Sequence, residues 1–333
     1  MNVLVTGGAG YIGSHAVKYL QEKAGHQVVV VDNLSRGHRR AVKGEAILIV
    51  HELADWKHVA RVMTNNQIEC VMHFAAKAYV GESVERPLDY YSNNTADAVA
   101  LLRAMDQAGV RKFVFSSTCA TYGEPSDEHI PIGETCPQRP ISPYGRSKLF
   151  VEQILRDYAA SCGDFQYAML RYFNVAGSDP NGEIGEDHDP ETHLIPIILQ
   201  AAAGLRPHIE IFGTDYATPD GTCVRDYVHV EDLIDAHMVA MEALTTDHPL
   251  VYNLGIGKGY SVREIIESAR RVTGKAITIK EGPRRPGDPP RLFANPAKIK
   301  SDLGWQAKHT DIDDIVRTAW TWIQNHPHGY NGE

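Results

Sequence analysis

A tyrosine and a lysine stand four residues apart in the stretch "SPYGRSK", at Tyr144 and Lys148, directly after a Ser-Pro turn. Residues at this spacing share one face of a helix, so the phenol and the ammonium are expected to line the same wall of a cleft. A nearby cation favours the phenolate form and lowers the pKa of a tyrosine from its usual value of about 10 toward neutrality. The pair therefore predicts a general base, Tyr144, supported by Lys148.

Three hydroxyl side chains end an apolar run upstream of this pair: "FVFSST" supplies Ser116, Ser117 and Thr118. Ligands bind at the carboxyl ends of strands in open parallel sheets, so these hydroxyls are expected near a bound substrate. A Y-x-x-x-K spacing alone also fits a surface tyrosine beside a solvated lysine. The hydroxyls and the glycine loop described next favour the catalytic interpretation.

A glycine loop follows the first apolar run, where "VLVTGGAGYIGSH" contains Gly7, Gly10 and Gly13. Glycines at these positions permit a tight turn and let backbone N–H groups approach a pyrophosphate at a helix N-terminus. The next apolar run ends in Asp32, 19 residues after Gly13, where a carboxylate would bind the adenosine ribose hydroxyls and repel a 2′-phosphate. The loop predicts NAD, while arginines at positions 36, 39 and 40 keep NADP as an alternative.

Short apolar runs alternate with helical patterns through the first half of the chain: "NVLVTG", "QVVVVDN", "AILIVHE", "CVMHFAA", "KFVFSS" and "YAMLRYFN". Continuous apolar character indicates strands buried on both faces, which is typical of a parallel sheet covered by helices. The pattern predicts an α/β fold with a doubly wound parallel sheet, the Rossmann arrangement.

After residue 174 the pattern changes to a long Gly/Pro/Asp-rich segment, "VAGSDPNGEIGEDHDPETH", which is followed by mixed helices and short strands. A polar segment of this length is often functional. We therefore predict two domains. Residues 1–174 form the NAD-binding Rossmann domain, and residues 175–333 form a smaller C-terminal α/β substrate domain, with 226–255 packing back on the first.

The composition argues against several kinds of partner. A formal net charge of −9 disfavours nucleic acid and anionic membrane surfaces, which bind basic faces. No apolar run approaches the ~20 residues of a membrane span. The five cysteines are odd in number and lack C-x-x-C spacing, so neither a disulfide framework nor a zinc knuckle, and no metal, is predicted. With no charged leader at the N-terminus, these features predict a cytoplasmic protein that binds small molecules.

Together with the glycine loop, Asp32, Thr118, Tyr144 and Lys148, several longer stretches resemble the extended short-chain dehydrogenase/reductase family, and within it the UDP-galactose 4-epimerases. They are "GGAGYIGSH", "DNLSRGH", "YVGESVERPLDYYSNN", "PYGRSK", "LRYFNVAG", "FGTDYATPDGTCVRDYVHVEDL" and "RRPGDPPRL". The resemblance covers nearly the whole chain, and "GTDYATPDGTCVRDYVHV" is its most specific part. It implies tightly bound NAD, a UDP-sugar substrate and a homodimer.

The resemblance also implies two sets of binding residues, and a catalytic set of Tyr144, Lys148 and Thr118. For NAD they are Gly7, Gly10, Tyr11, Ile12, Gly13, Asp32, Asn33, Leu34, Ser35, Glu52, Leu53, Phe74, Ala75, Ala76, Asn93, Ser116, Tyr144, Lys148 and Phe173. For the UDP-sugar they are Thr118, Asn174, Leu194, Ile211, Phe212, Arg225, Tyr227, Arg285, Asp288 and Leu292. Two arginines suit a diphosphate because the guanidinium fork binds phosphate oxygens in pairs.

Four positions depart from the family pattern. Glu52 stands where an Asp usually contacts adenine, and Thr118 replaces a more familiar Ser while keeping the hydroxyl. Lys77 lies one position before an expected cofactor-contacting lysine, and His193 stands where some members carry Asn. The roles of Lys77 and His193 are therefore left open.

The mechanism that the resemblance implies is a reversible oxidation at C4 of the sugar. Tyr144 removes the proton from the C4 hydroxyl while the C4 hydride goes to the nicotinamide. The 4-keto sugar then rotates about the pyrophosphate and receives the hydride on its other face, and Thr118 hydrogen-bonds the same oxygen. Contacts to UDP retain the intermediate, while weak contacts to the hexose permit the rotation.

Other activities stay open to different degrees. A 4,6-dehydratase would need an Asp-Glu pair directly after Thr118, whereas Cys119 and Ala120 stand there. A non-catalytic NAD-binding sensor would not need the catalytic residues and a diphosphate clamp together. Within the epimerases, Leu292 is smaller than the Tyr associated with restriction to unacetylated hexoses, which predicts some activity on UDP-N-acetylhexosamines. Resemblance to UDP-xylose 4-epimerases keeps a pentose substrate as an alternative.

Overall fold

The computed structural model describes residues 1–285 and 288–331. The strands are β1 Asn2–Thr6, β2 Gln27–Asp32, β3 Ile47–Val50, β4 Cys70–His73, β5 Lys112–Thr118, β6 Gln166–Tyr172, β7 Asn174–Ala176, β8 Ile209–Phe212, β9 Val224–His229, β10 Leu250–Leu254, β11 Gly259–Ser261, β12 Ile279–Gly282 and β13 Arg291–Leu292. The helices are α1 Tyr11–Glu22, α2 Trp56–Asn65, α3 Val80–Glu85, α4 Pro87–Tyr90, α5 Asp97–Ala108, α6 Pro143–Cys162, α7 Leu194–Ala202, α8 Val230–Glu242, α9 Val262–Thr273, α10 Ala297–Leu303 and α11 Ile312–Asn325. A π-helical turn, Tyr91–Ala96, joins α4 to α5.

The chain divides into two compact units, each assembled from separate segments. The first comprises Met1–Gly123, Pro137–Arg171 and Ile234–Tyr252, and the second comprises Glu124–Cys136, Tyr172–Leu233 and Asn253–Glu333. A segment after β5 thus belongs to the second unit, although the chain returns to the first unit directly after it. A later segment that ends in β10 belongs to the first unit.

The first unit is built on a seven-stranded sheet of order β10-β6-β5-β4-β1-β2-β3. The pairings from β3 through β2, β1 and β4 to β5 are parallel. This order confirms the predicted doubly wound α/β fold. The direction of strand succession reverses between β1 and β4, and ligands bind outside the carboxyl ends of strands at such a reversal.

The core of the first unit explains why these runs form strands. Val71 of β4 and Phe113 of β5 are fully buried, and they belong to one apolar cluster with Met63 of α2 and Met105 of α5. The central strands are buried along almost their whole length, as β1 and β2 show. A sheet covered on both faces requires the continuous apolar runs that the sequence displays.

The second unit surrounds strand β9. β9 pairs with β11 in an antiparallel direction and with β7 and β13 in a parallel direction, while β8 and β12 form a separate parallel pair. Buried residues of α7, α9 and α11 form one apolar cluster with Ile209, Ile211 and Tyr227 of these strands. None of the helices within residues 1–285 and 288–331 is long and apolar enough to cross a membrane.

Candidate active site

The glycine loop after β1 turns so tightly that side chains cannot replace Gly7 or Gly13. Gly7 has a positive φ of 74°, and a Cβ there would lie 2.5 Å from the backbone nitrogen of Ala75. A Cβ on Gly13 would lie 2.1 Å from the carbonyl oxygen of Gly7. Gly10 precedes α1, and no side chain caps that helix. The loop therefore leaves the α1 N-terminus accessible to an anion, which fits the pyrophosphate of a dinucleotide.

Asp32 ends β2 beside this loop and is nearly buried, with 8% of its surface exposed. Its Oδ2 accepts a hydrogen bond from the N–H of Ala9 at 2.9 Å, and its Oδ1 accepts one from the N–H of Leu34 at 2.8 Å. Burial raises the pKa of Asp32, and the two N–H donors oppose that rise. Each carboxylate oxygen can accept a further hydrogen bond, so ribose hydroxyls can bind while the protein holds the carboxylate in place.

The other predicted NAD residues of the first unit lie on neighbouring loops. Asn33 donates from Nδ2 to Oε2 of Glu52 at 3.0 Å, which joins the segments after β2 and β3. The side chain of Leu53 belongs to the apolar core, so its packing explains that residue without a ligand. Tyr11 and Ile12 begin α1, Ser35 donates its N–H to Asn33, and Phe74, Ala75 and Ala76 directly follow β4.

Tyr144 and Lys148 occupy the first two turns of α6, which begins after Ser142. The hydroxyl of Ser142 accepts a hydrogen bond from the N–H of Gly145 at 3.1 Å and so caps the helix. The phenol of Tyr144 is hydrogen-bonded to Thr118, and only 8% of Tyr144 is exposed. Lys148 Nζ donates to the carbonyl oxygen of Ser116 at 2.9 Å. The structure thus brings the three predicted catalytic residues together at the end of β5.

The sequence-based expectation for the pKa of Tyr144 is wrong for the protein chain by itself. Burial raises the pKa of Tyr144 to about 12, against a smaller lowering by the Thr118 hydrogen bond. Burial also lowers the pKa of Lys148 to about 7. The ammonium points at the Ser116 carbonyl and lies 4.9 Å from the centre of the Phe115 ring. Desolvation therefore opposes both charged forms, and the i, i+4 spacing alone does not supply a neutral-pH phenolate.

The π-helical turn before α5 fixes the segment after β4. The N–H of Lys77 donates to Oδ1 of Asn94 at 2.8 Å and to Oδ1 of Asn93 at 3.0 Å. Asn94 Nδ2 also donates to the hydroxyl of Ser147 on α6 at 3.0 Å. The ammonium of Lys77 lies 3.8 Å from Asp89. Lys77 is thus held through its backbone and paired through its side chain, which gives it a structural role.

The predicted substrate residues of the second unit gather around β9. Asn174 of β7 is the register partner of Tyr227, and Leu292 of β13 is the register partner of Arg225. The phenol of Tyr227 is hydrogen-bonded to Asn174, and burial raises its pKa to about 12. The guanidinium of Arg225 forms an ion pair with Asp288. Four of the predicted residues, Asn174, Arg225, Tyr227 and Asp288, therefore form one polar group, with Leu292 beside Arg225.

The remaining predicted residues of the second unit have different surroundings. The guanidinium carbon of the exposed Arg285 lies 3.8 Å from the centre of the Phe212 ring, a cation–π contact that orients the cation. Ile211 is buried in the core, and Leu194 packs against the same cluster at the start of α7. Phe173, predicted to contact NAD, is 5% exposed, and its N–H donates to the carbonyl oxygen of Leu254 at 3.3 Å.

Comparison with known proteins identifies the group to which these features belong. The sequence model of the NAD dependent epimerase/dehydratase family matches residues 3–255. The chain belongs to this family. Membership confirms the family resemblance and the prediction of NAD as the cofactor.

Three relatives show how far the similarity extends. A UDP-glucose 4-epimerase of Lacticaseibacillus casei is 50% identical, with 99% of each chain covered. A probable UDP-arabinose 4-epimerase of Oryza sativa subsp. japonica is 47% identical over 99% of this chain and 81% of its own. The crystal structure of a UDP-glucose 4-epimerase from Brucella ovis in complex with NAD is 48% identical, covers 96% of this chain and 97% of that one, and superimposes with a TM-score of 0.91.

A buried ion pair beneath the family's Tyr-Lys pair was not identified from the sequence. Glu152 lies one turn after Lys148 on α6 and is fully buried. It accepts hydrogen bonds from Nε of Arg171 at 2.8 Å, from Nη2 of Arg171 at 2.6 Å and from the hydroxyl of Ser117 at 2.6 Å. The sequence did contain a signal for this ion pair: an arginine stands inside the apolar run "YAMLRYFN", and a charged side chain in a buried strand requires a partner of opposite charge.

His193 belongs to a second group that the sequence did not predict. Its Nδ1 lies 2.8 Å from Oε1 of Glu186 and 3.2 Å from Oε1 of Glu191. Burial alone lowers the pKa of His193, but the two carboxylates outweigh it and raise the pKa to about 10. His193 thus contacts both carboxylates of this group.

Proposed function

We propose that this protein is an NAD-dependent UDP-glucose 4-epimerase that interconverts UDP-galactose and UDP-glucose. The observation that carries the proposal is the hydrogen-bonded Thr118–Tyr144 pair with Lys148 one helical turn away. Identity of 50% with the Lacticaseibacillus casei UDP-glucose 4-epimerase over 99% of both chains supports it. We assign NAD binding to residues 1–174 and UDP-sugar binding to residues 175–333.

In the proposed reaction, the Tyr144 oxygen accepts the proton of the sugar C4 hydroxyl and later returns it. Thr118 donates a hydrogen bond to the same sugar oxygen and shares the proton with Tyr144, to which it is already bonded. Lys148 lowers the cost of the phenolate when it is protonated. NAD, when bound, supplies a reversible acceptor for the C4 hydride. The net reaction inverts C4 without a net change in oxidation state.

The polar group around β9 is proposed to hold the nucleotide. Arg225 and Arg285 offer guanidinium groups to the diphosphate, and the ion pair with Asp288 keeps Arg225 oriented before the ligand arrives. Asn174 and Tyr227 offer hydrogen-bonding groups beside them. Anchoring by the nucleotide leaves the sugar free to present either face, which an epimerase needs and a dehydrogenase with one product does not.

The deciding experiment incubates purified protein with UDP-galactose, without added NAD, and follows UDP-glucose by chromatography. We expect conversion without net NADH formation. Tyr144→Phe removes the proton acceptor and is expected to reduce kcat by at least about 100-fold while NAD stays bound. No conversion by the wild type, even with NAD supplied, would overturn the proposal and favour first a UDP-xylose substrate and then dehydration or ligand sensing.

Leu292 is proposed to leave space near C2 of the sugar. Because a leucine is smaller than a tyrosine, we expect measurable epimerisation of UDP-N-acetylglucosamine. Leu292→Tyr should reduce the kcat/KM for this substrate by about 10-fold or more, with a smaller change for UDP-glucose, since a bulky side chain clashes with the acetamido group but not with a hydroxyl. Total inactivity of the wild type on the acetylated sugar would sink this part of the proposal.

A UDP-pentose is the second candidate substrate. The 47% identity to the probable UDP-arabinose 4-epimerase of rice favours it, because arabinose and xylose are epimers at the same C4 position. The chemistry of Tyr144 and Thr118 would be unchanged. The ratio of kcat/KM for UDP-xylose to that for UDP-galactose decides between the two.

We further propose a cytoplasmic homodimer formed through the helices around α6. Several large apolar side chains are exposed on α3, α4 and α6: Val80 by 49%, Val84 by 64%, Leu88 by 78% and Phe150 by 42%. Exposed apolar patches commonly mark interfaces between chains. Light scattering after gel filtration should give twice the chain mass, and Phe150→Glu should shift the mass toward that of the monomer.

A further inference from the structure

Four side chains of types that bind metal ions lie close together in the segment that precedes α7. Glu186, His188, Glu191 and His193 each offer one nitrogen or oxygen atom, and these atoms all lie within 4.8 Å of one another. The two carboxylates are 6% and 3% exposed, and the two imidazoles are 18% and 42% exposed. The group therefore has a buried acidic side and an imidazole side that solvent can reach.

Nitrogen and oxygen atoms alternate around this group. The Nδ1 of His188 lies 3.2 Å from Oε1 of Glu186 and 3.7 Å from Oε2 of Glu191. The Nδ1 of His193 lies 2.8 Å from Oε1 of Glu186 and 3.2 Å from Oε1 of Glu191. Ligands about 2.05 Å from a tetrahedral zinc ion are about 3.3 Å apart, which is close to these four separations.

The protein also orients one of the carboxylates. Oε1 of Glu191 accepts hydrogen bonds from the N–H of Thr192 and from the N–H of His193, both at 2.7 Å. Hydrogen bonds from the protein to a ligating carboxylate hold it in position and are common around metal ions in proteins. The exposed edge of the His193 ring leaves a path by which an ion can enter.

We propose that Glu186, His188, Glu191 and His193 bind one Zn²⁺ ion. Two neutral imidazoles and two carboxylates complete a four-coordinate site, and their total charge of −2 balances the ion. Imidazole ligands argue against Mg²⁺ and Ca²⁺, which prefer oxygen. With all four positions taken by protein atoms, the ion is structural, and it fixes the segment that leads into α7.

The test uses tag-free protein, because a histidine tag binds the same ion. Protein treated with a chelator and dialysed receives two equivalents of ZnCl₂, is desalted, and its zinc is counted by mass spectrometry. We expect about one zinc per chain in the wild type. The double variant His188→Gln with His193→Gln should retain less than about a tenth of that.

A matched control separates this site from surface histidines. His51 and His58 stack at 3.9 Å between ring centres and form another group with Asp55, which is exposed. The double variant His51→Gln with His58→Gln also loses two imidazoles, yet it should keep the zinc of the wild type. Loss of zinc from this control and retention by the first variant would overturn the proposal.

Two further results keep the proposal falsifiable if the first variant folds poorly. Zinc X-ray absorption of the loaded wild type should show four nitrogen or oxygen ligands near 2.0 Å and no sulfur. Glu191→Gln, a smaller change, should weaken zinc affinity by at least about 10-fold against a chromophoric chelator. A wild type that keeps no zinc after desalting would overturn the proposal and leave the four residues as two imidazolium–carboxylate pairs.

Discussion

Replacement of Arg171 by methionine should destabilise the first unit more than any surface ion-pair mutation. Arg171 is 2% exposed, and its guanidinium donates two hydrogen bonds to Glu152 and one to the hydroxyl of Tyr122 at 2.8 Å. Methionine fills much of the same volume but leaves the carboxylate of Glu152 buried beside one fewer cation. Breaking a buried pair in this way costs about 3–5 kcal/mol.

A second arginine, Arg156, pairs with the same carboxylate and serves as the control. Arg156 Nη2 lies 3.2 Å from Oε2 of Glu152, but the Arg156 side chain is 41% exposed. An exposed partner contributes about 0–1 kcal/mol because water replaces it readily. Arg156→Met should therefore reduce the free energy of unfolding several times less than Arg171→Met, although both remove a guanidinium from one carboxylate.

Urea unfolding followed by tryptophan fluorescence measures both free energies. Adding Glu152→Gln to Arg171→Met should recover part of the loss, because the uncompensated buried charge is removed with its partner. Equal costs for Arg156→Met and Arg171→Met would refute the reasoning from burial. So would a cost below about 1 kcal/mol for Arg171→Met.

Two further predictions concern the cofactor loop and the catalytic lysine. Gly13→Ala should abolish retention of NAD, because its Cβ would lie 2.1 Å from the Gly7 carbonyl oxygen. The amount of NAD released on denaturation measures the retained cofactor. Gly81→Ala, whose Cβ would meet nothing within 4 Å, is the control and should leave that amount unchanged. Lys148→Met should abolish activity yet stabilise NAD-free protein by about 4 kcal/mol at pH 7, since burial lowers the lysine pKa from 10.5 to about 7 and methionine carries no charge to desolvate. The penalty from Lys148 is fully present below pH 7 and disappears as the pH rises to 10.5, so the stabilisation should vanish over that range in thermal unfolding curves; a constant difference across it would contradict the assignment.

The sheet of the first unit could be predicted because each of its first six strands in chain order is a continuous apolar run in the sequence. Each apolar run named in the sequence forms a strand, from β1 through β6. The central strands are apolar because both of their faces are covered, whereas the edge strand β3 keeps its apolar run while partly exposed. The glycine loop could also be predicted. Gly13 is required by its contact with Gly7 nearby in the sequence, and Gly7 by its contact with Ala75 just after β4. The fold class and the cofactor were therefore predicted correctly from these patterns, and the family and the epimerase chemistry were predicted correctly from the resemblance.

The composition of the two units could not be read from the sequence. Glu124–Cys136 belongs to the second unit because Ile132 pairs with Ala294 and hydrogen-bonds to Phe293, more than 150 residues later in the chain. Ile234–Tyr252 joins the first unit, a shorter stretch than the predicted 226–255. Such long-range pairings have no local pattern, so a single boundary at residue 174 does not describe how the chain packs.

The pKa values of the catalytic pair also depend on information that spacing does not contain. The i, i+4 rule correctly places Tyr144 and Lys148 on one helical face, but it does not reveal how much water each side chain loses. Nor does the spacing show that Lys148 Nζ donates a hydrogen bond to the carbonyl oxygen of Ser116. Desolvation decides the sign of both shifts, and burial emerges only from the complete fold.

Three successive residues of β5 are tied to three residues one turn apart on α6. The Ser116 carbonyl accepts from Lys148, the Ser117 hydroxyl donates to Glu152, and Thr118 is hydrogen-bonded to Tyr144. Only the last of these contacts involves the proposed proton transfer. The middle contact connects the strand end to the Arg171–Glu152 pair, which is anchored in the buried interior. We therefore expect the Arg171–Glu152 ion pair to hold Thr118 in position relative to Tyr144, so that Arg171→Met should lower kcat more than it changes the KM for the UDP-sugar.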